Sequence, residues 1–368
     1  MISFGLGEPD FDTPEPARRA AHEAIESGQT HYTANEGILP LRKAIRDAYE
    51  REQQVAYAAG SEVLVTAGAK QAIAHALLAL IEEGDEVLVP APYWLTYPEI
   101  VGLAGGTFRA VETRAEDGFH LTRQALERAA SEKSRILILN SPNNPTGAVL
   151  DRERLAEIAE FVRQRDLAVI SDEIYAPLTY AGRRAASITS VDPELRERTI
   201  VCHGFSKAYA MTGWRIGYAL GPAEIIGAMA RIQVHTTSNA CSISQHAAIA
   251  ALDHCGDATE SMRARFEERR ELVLLRLGGL EGLELSPPEG AFYCFPRIAA
   301  LLGRKTAAGT VLTGSSDFCQ ALLDEQQVSL IPGVEFGADD CFRLSYAASR
   351  EDLEKGCARI ARFLEELH

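Results

Sequence analysis

The segment FSKAYAMTGWRIGY holds the most informative arrangement of reactive side chains, because Lys207 follows the apolar run TIVCHG and Arg215 follows the lysine. The run TIVCHG is typical of a buried strand, which places Lys207 just beyond a strand end. In open α/β sheets, ligands bind in the crevice beyond the carboxyl ends of the strands. A lone lysine is usually a solvated surface residue, but this position predicts an amine that faces a ligand.

Two other predicted strands also end in polar side chains. RILILN leads into SPNNPTG, a rigid turn that carries Asn144, and LAVISD ends at Asp172 with Tyr175 about one helical turn further on. Taken singly, the turn is a good loop and the aspartate is a candidate helix N-cap. Together with Lys207 and Arg215, however, three successive strand ends bring polar groups towards one region.

These strand ends belong to a regular alternation of short β-branched runs and longer helical patterns. The predicted strands are EVLVT, DEVLVP, RILILN, LAVISD and TIVCHG, and the predicted crossover helices span 71–81 and 152–165. Such alternation indicates parallel strands joined by helices, and runs that are apolar throughout indicate a sheet covered on both faces. We therefore predict an α/β fold with a mostly parallel central sheet.

With 368 residues, the chain is long enough to form two lobes. The stretch SMRARFEERRELVLLRL is typical of a long amphipathic helix that leads away from the first lobe. Shorter predicted strands in GAFYCFP, VSLIP and CFRLSYA follow, and then a C-terminal helical pattern. We predict a large domain over 31–275 and a smaller α+β domain formed by 1–30 and 276–368.

Charge and composition exclude several classes of function. The formal net charge is −15, from 37 Lys and Arg against 52 Asp and Glu, and this surplus repels nucleic acid and anionic lipid. Seven scattered cysteines without a CxxC pair indicate reduced core residues and no metal site. The sequence has no run of the ~18 apolar residues that a membrane span needs and no leader pattern, so we expect a cytoplasmic protein.

The motifs LGEPDFDTP, HYTANEGILPLR, APYWLTYPE, NSPNNPTG, SDEIY, SKAYAMTGWRIGY and FRLSYA occur in this order along nearly the whole chain. As a set they resemble the class I aminotransferases, and most closely the branch that contains the bacterial aspartate aminotransferases. The resemblance implies the fold type I of enzymes that use pyridoxal 5′-phosphate (PLP), with the cofactor bound to Lys207 as a Schiff base. It also implies ping-pong transfer of an amino group between an L-amino acid and a 2-oxo acid.

The resemblance assigns four residues to the ring of the cofactor. Asp172 corresponds to the carboxylate that keeps the ring nitrogen protonated, as an electron sink requires. Asn144 and Tyr175 correspond to the donors to the phenolic oxygen. Trp94 corresponds to the aromatic residue that stacks on the ring, although a buried tryptophan is equally expected in core packing.

Other positions correspond to the family's phosphate site. Gly68, Ala69 and Lys70 open the predicted helix near Gln71, and the N–H groups of a helix N-terminus bind anions. Arg215 corresponds to the phosphate arginine of the family.

Two further positions bear on the phosphate. Gly204 stands where many relatives have a serine, so Ser206 is the available hydroxyl. Tyr32 corresponds to a tyrosine that reaches the phosphate from the neighbouring subunit, which implies an obligate homodimer with shared active sites.

The substrate site is inferred from the same resemblance. Arg343 corresponds to the arginine that binds the α-carboxylate through two parallel hydrogen bonds, and Gly7 to a glycine whose backbone approaches the substrate; Trp94 and Asn144 border the substrate. Lys70 corresponds to a lysine that meets a distal carboxylate in aspartate-using members, and a simple helix-start cation is an equal alternative. We expect glutamate or 2-oxoglutarate as one partner, with aspartate or an aromatic amino acid as the other.

Three functions other than an aminotransferase bear on these motifs. A carbon–sulfur β-lyase, or another specialised PLP enzyme, would use the same lysine, aspartate and arginine, and the motifs leave this alternative open. A PLP-sensing regulator would carry a basic DNA-binding module ahead of this domain. A nucleotide-binding dehydrogenase would need a GxGxxG motif after the first strand of the sheet, and none is present.

Overall fold

The structure is a computed structural model that describes all 368 residues. Most of the predicted strands belong to one seven-stranded sheet. The strands are β1 Ile2–Ser3, β2 Val63–Thr66, β3 Glu86–Ala91, β4 Thr107–Glu112, β5 Ser134–Asn140, β6 Ala168–Asp172, β7 Thr199–Gly204, β8 Gly217–Leu220, β9 Tyr293–Cys294, β10 Val328–Ser329, β11 Ile331–Pro332 and β12 Phe342–Ser345. The helices are α1 Glu15–Glu26, α2 Leu39–Gln53, α3 Ala69–Leu80, α4 Thr96–Leu103, α5 Arg123–Ala129, α6 Arg152–Arg165, α7 Ile188–Val191, α8 Ala223–Thr236, α9 Ser242–His254, α10 Gly256–Leu277, α11 Ser315–Gln326 and α12 Arg350–Glu365.

The central sheet has the strand order β2-β8-β7-β6-β5-β3-β4. Neighbouring strands are parallel except for β8, which runs antiparallel to both β2 and β7. In the pairing register, Asn140 lies opposite Asp172 and Asp172 lies opposite Cys202. The carboxyl ends of β5, β6 and β7 therefore meet side by side, as the sequence predicted.

Helices cover both faces of the sheet because its strands alternate between two apolar layers. On β3, Val87 and Val89 belong to a core that also contains residues of α3 and α8. Leu88 points the other way, into a core with Leu155 and Ile158 of α6. Strands that are apolar on both faces are expected of a buried, mostly parallel sheet, and the predicted α/β fold is confirmed.

A smaller body is built from both ends of the chain. β1 pairs with β10, and β11, β12 and β9 form a three-stranded sheet. Its core joins Phe4, near the start of the chain, to Phe318 of α11, Ile360 of α12 and Phe266 of α10.

The division of the chain into a domain of 31–275 and a second domain of 1–30 and 276–368 stays a proposal. Helix α1, which we expected in the second domain, packs on the larger body instead. The face of α1 formed by Ala17 and Ala21 packs in the same core as Ala247 and Ala251 of α9, on the larger body. The small alanine side chains on the facing surfaces of α1 and α9 allow these two helices to approach closely.

The boundaries of two helices differ from the sequence predictions. α3 begins at Ala69, two residues before the predicted start at Gln71, and α10 begins at Gly256, ahead of its predicted charged stretch. None of the helices is both long enough and apolar enough to cross a membrane. All seven cysteines are free, and six of them are buried as expected; the prediction was wrong for Cys241, which is exposed just before α9.

The contact between Phe4 and α12 yields a test of how the N-terminal strand is held. A Cβ atom added at Gly356 would overlap the ring of Phe4. We expect Gly356→Ala to lower the free energy of unfolding by roughly 1–3 kcal/mol, measured as a lower denaturation midpoint in urea. Gly227→Ala is the matched control, because the nearest atom there is a flexible Arg231 terminus at 3.7 Å. A variant at Gly356 as stable as the control would contradict the packing.

Candidate active site

A cavity of about 370 Å³ lies beyond the carboxyl ends of β5, β6 and β7. Residues from both bodies line it. The predicted site residues among them are Gly7, Ala69, Lys70, Trp94, Asn144, Asp172, Tyr175, Ser206, Lys207, Arg215 and Arg343. Segments that are far apart in sequence therefore meet at one place, where the strand-end argument located the ligand crevice.

Asp172 ends β6 with its side chain buried. The Tyr97 hydroxyl donates a hydrogen bond to Oδ2 at 2.7 Å, and the backbone N–H of Ile174 donates to Oδ1 at 3.2 Å. Burial raises the pKa of Asp172 to about 6, although both hydrogen bonds favour the ionised form. At neutral pH this carboxyl group is predominantly an anion held by neutral donors.

Lys207 follows β7 on a turn that leads into the cavity. Its Nζ atom donates a hydrogen bond to the backbone oxygen of Gly7 and lies 5.9 Å from the centre of the Tyr175 ring. Burial lowers the pKa of Lys207 to about 8; nearby Glu8 raises that pKa and nearby arginines lower it further. The lowered pKa gives this amine a larger neutral fraction near neutral pH than an ordinary lysine has, which suits a group that must act as a nucleophile or a base.

Arg343 of β12 connects the smaller body to the sheet. Its Nη1 donates to Oδ1 of Asn144 at 3.0 Å, and its Nη2 donates to the backbone oxygen of Gly5 at 2.8 Å. The guanidinium carbon lies 4.6 Å from the centre of the Tyr293 ring and 5.0 Å from that of Phe336. The buried Nε atom has no hydrogen-bond partner. A buried donor costs free energy while it lacks an acceptor, so this N–H can donate to an oxygen that the chain itself does not supply.

Asn144 is held so that its amide nitrogen stays available. Its backbone N–H donates to Oδ1 of Asn140 at 2.8 Å, which fixes the turn after β5. The Asn144 Oδ1 atom already accepts from Arg343. Since a side-chain amide has one acceptor and one donor group, Nδ2 remains the group that can donate to a ligand.

A pair of buried tyrosines lies beside Lys207. The hydroxyl oxygens of Tyr175 and Tyr293 are 2.8 Å apart, and either can be the donor. Burial is the main cause that raises the pKa of Tyr175 well above its usual value. Both hydroxyls are therefore protonated at physiological pH and can donate hydrogen bonds.

The start of α3 forms the polar end of the cavity. Gly68 caps this helix with a positive φ of 88°, and a Cβ atom at that position would lie 2.7 Å from Nη2 of Arg215. Arg215 itself has a φ of 51° and donates to the backbone oxygen of Thr212 at 2.9 Å. At Gly217, a Cβ atom would lie 2.5 Å from the backbone nitrogen of Ala69. Helix N–H groups and a guanidinium thus converge as an anion site.

Lys70 and Trp94 meet at the side of the cavity. The Nζ atom of Lys70 lies 4.9 Å from the centre of the indole ring, within the range of a cation–π contact. The indole ring also packs edge-on against Tyr97, with 5.4 Å between the ring centres. The edge-on contact with Tyr97 thus fixes the orientation of the predicted stacking residue.

Ser206 and Tyr32 differ in where the structure places them. Ser206 is buried and lines the cavity. Tyr32 is 91 % exposed and does not line the cavity of its own chain. Its predicted contact with a phosphate therefore depends on a second subunit and stays a prediction.

Sequence reasoning missed four residues that hold the site together: Tyr97, Asn140, Tyr293 and Glu173. Tyr97 lies within the motif APYWLTYPE, three residues after Trp94, and Asn140 is the last residue of RILILN. Spacing could have identified both, since one helical turn separates Trp94 from Tyr97 and Asn140 ends a strand beside Asp172. Nothing local distinguished Tyr293 or Glu173 from core residues.

Comparison with known proteins agrees with this geometry. The family model "Aminotransferase class I and II" matches residues 1–360. The chain belongs to this family. An aspartate/prephenate aminotransferase of Cereibacter sphaeroides is 44% identical over 364 residues, which cover 99% of this chain and 91% of the relative. The aminotransferase activity is thereby shown.

Solved structures of this family share the whole fold. The crystal structure of an aspartate aminotransferase from Rhizobium meliloti superimposes with a TM-score of 0.97 at 41% identity, covering 100% of this chain and 92% of that one. An aromatic aminotransferase from Pyrococcus horikoshii gives a TM-score of 0.94 at 41% identity, covering 99% and 96% of the two chains. The predicted fold type I is confirmed.

Enzymes of the family depend on PLP, and the cavity of this aminotransferase fits that group. Arg215 lies against the N-terminus of α3, where a phosphate is expected, and Asp172 offers an anion for a protonated ring nitrogen. Nδ2 of Asn144 is available for a phenolic oxygen, and the Nε atom of Arg343 lacks an acceptor.

Glu173, next to Asp172, is buried and contacts Tyr49 of α2, and it does not line the cavity. Its carboxylate accepts hydrogen bonds from the hydroxyls of Ser171 at 2.8 Å and Tyr49 at 3.2 Å. Burial raises the pKa of Glu173 to about 7. This carboxyl group thus connects α2 to the strand end that bears Asp172.

The raised pKa of Glu173 predicts a pH-dependent stability difference. Between its ordinary value of 4.5 and about 7, the folded state binds the proton more tightly than the unfolded state, so the stabilisation is lost as the pH rises. Glu173→Gln cannot ionise and escapes this loss. From pH 5 to pH 8, we expect the stability of the variant relative to the wild type to improve by on the order of 2 kcal/mol, measured by urea denaturation. If the difference in unfolding free energy between variant and wild type did not change with pH, the pKa of Glu173 would be the same in the folded and unfolded states, which would contradict the prediction.

Proposed function

We propose that this aminotransferase binds PLP and transfers amino groups between an acidic or aromatic L-amino acid and 2-oxoglutarate. The observation that carries the proposal is the meeting of Lys207, Asp172 and Arg343 at one cavity. These groups supply an amine, an anion and a carboxylate-binding guanidinium. The named relatives agree with this substrate range, since one is called an aspartate/prephenate aminotransferase and another an aromatic aminotransferase.

Each part of the cofactor has protein groups suited to it. Arg215, Ser206 and the first N–H groups of α3, at Ala69 and Lys70, would hold the phosphate. Gly68 would contribute as the cap of the helix, because its own N–H donates to the backbone oxygen of Thr66.

The ring has a second set of partners. Asp172 would hold its protonated nitrogen, Asn144 and Tyr175 its phenolic oxygen, and Trp94 its face. When bound, PLP supplies an electron sink for the substrate's α-carbon.

The chain's own residues account for binding and proton movement. Arg343 binds the α-carboxylate, because its Nε and Nη atoms form a planar fork that matches two carboxylate oxygens. Lys207, with a pKa of about 8, is the base whose Nζ would take the proton from the substrate's α-carbon and deliver it to the former aldehyde carbon of the cofactor. Tyr97 keeps the Asp172 carboxylate oriented throughout by donating to Oδ2. Gly7 leaves room beside the substrate for its backbone oxygen to approach.

The shared-site homodimer is part of the proposal. Tyr32 is exposed and lies outside the cavity of its own chain, and a large exposed aromatic residue is typical of an interface. Its hydroxyl would complete the phosphate site of a neighbouring subunit. A cytoplasmic location stays a prediction.

Lys207 gives the decisive test of the proposed cofactor chemistry. Lys207→Ala removes the amine, so we expect the loss of the visible absorbance of lysine-bound PLP and of transamination. Absorbance spectra and keto-acid formation measure both. Lys133→Ala is the matched control, because Lys133 is exposed on the turn before β5. An unchanged transamination rate in Lys207→Ala would overturn the assignment.

Lys70 gives a test of substrate choice. Lys70→Gln removes the positive charge beside Trp94, and the loss of one charged hydrogen bond is worth about 1.5–3 kcal/mol. We therefore expect kcat/KM for aspartate to fall by roughly 10-fold or more, with that for phenylalanine within about 2-fold of the wild type. Steady-state kinetics with both donors measure this. Equal losses for the two donors would assign Lys70 to the helix start alone.

A further inference from the structure

Tyr293 of β9 touches three separate parts of the active site from the smaller body. Its hydroxyl oxygen is 2.8 Å from that of Tyr175. Its ring lies under the guanidinium of Arg343, with 4.6 Å between the guanidinium carbon and the ring centre. A Cβ atom at Gly7 would lie 2.8 Å from the Tyr293 hydroxyl, so the backbone that accepts from Lys207 packs directly on it.

We propose that Tyr293 is a positioning residue that donates a hydrogen bond to Tyr175 and supports Arg343 through its ring. This inference rests on the proposed function, because it concerns the residues that meet the cofactor and the substrate carboxylate. One side chain thereby joins the group that binds the substrate to the group that contacts the cofactor's phenolic oxygen.

The direction of the hydrogen bonds follows from the donors available. A Tyr175 hydroxyl that donates to the phenolic oxygen has used its one proton and can only accept from Tyr293. The order is then Tyr293 to Tyr175 to the cofactor oxygen. In such a chain each bond polarises the next, which strengthens the donor at the end.

The ring of Tyr293 has a separate task. The guanidinium carbon of Arg343 lies 4.6 Å from the centre of the Tyr293 ring and 5.0 Å from that of the Phe336 ring. An aromatic face attracts a guanidinium and fixes its plane. Nη1 donates to Asn144 and Nη2 donates to Gly5. These two hydrogen bonds and the aromatic contacts together fix the orientation of the guanidinium plane.

The hydroxyl is tested by Tyr293→Phe in the holoenzyme. A bond donated to the phenolic oxygen favours the state in which that oxygen bears full negative charge. Weakening this bond should raise the pH midpoint of the bound cofactor's visible absorbance change by roughly 0.2–0.6. The double variant Tyr175→Phe/Tyr293→Phe should titrate with the midpoint of Tyr175→Phe alone. A wild-type midpoint in Tyr293→Phe would overturn the proposal.

Tyr346→Phe is the matched control for that titration. Tyr346 is fully buried in the same body, and its hydroxyl contacts the backbone oxygen of Ala291 at 3.4 Å rather than the cavity. We expect its titration midpoint to equal that of the wild type, whatever its stability. If both variants moved the midpoint equally, the effect would be structural and the role of Tyr293 would be refuted.

The ring is tested with succinate, an inert dicarboxylate, as the probe. Tyr293→Phe keeps the ring and should keep the dissociation constant within about 2-fold, whereas Tyr293→Leu should raise it roughly 5- to 10-fold. Equal affinity in Tyr293→Leu and the wild type would refute the support of Arg343. A wild-type protein that shows no lysine-dependent absorbance with PLP would instead refute the proposed function and this inference together.

Discussion

Asp172 and Lys207 impose the main constraint on this molecule, because both face one cavity and burial shifts the pKa of each towards neutrality. The pKa of the carboxyl group is about 6 and that of the amine about 8. The Asp172 carboxylate accepts a hydrogen bond from Tyr97, and the Lys207 amine donates one to the backbone oxygen of Gly7. The two groups therefore have separate hydrogen-bond partners. A ligand with a cationic nitrogen at one end and an electrophilic carbon at the other would satisfy both, and the sheet order sets their separation.

Hydrogen bonds at the active site join the two bodies of the chain, in addition to an apolar core that Tyr175 and Leu178 share with the smaller body. Arg343 comes from the smaller body and reaches Asn144 at the end of β5 and Gly5 near the N-terminus. Tyr293 does the same for Tyr175. Any relative movement of the bodies therefore changes the carboxylate site and the ring site together. The geometry couples substrate binding to the alignment of the groups around the cofactor.

Sequence patterns predicted the parts that depend on local rules. The limits of α6 and β7 agree with the structure, since long periodic runs and strand ends have clear signatures. β8 was missed because its apolar run, GYAL, is short and its antiparallel pairing depends on distant partners. Tyr293 was missed for a similar reason, because its role comes from contacts with Tyr175 and Arg343, which are remote in sequence. Motifs identify which residues react, whereas the side chains that aim them are fixed by tertiary contacts.

The backbone oxygens of Gly5 and Gly7 have a consequence for the protein before cofactor and substrate bind. They accept hydrogen bonds from Arg343 and Lys207, the two cations that are later needed for chemistry. The N-terminal segment thus takes the place of the substrate carboxylate as a hydrogen-bond acceptor. Because a buried charge without a partner costs free energy, these hydrogen bonds stabilise the pocket in the absence of ligand. A substrate carboxylate must then replace a peptide oxygen as the hydrogen-bond acceptor. Selectivity therefore depends on how much more strongly the carboxylate binds these cations than a peptide carbonyl does.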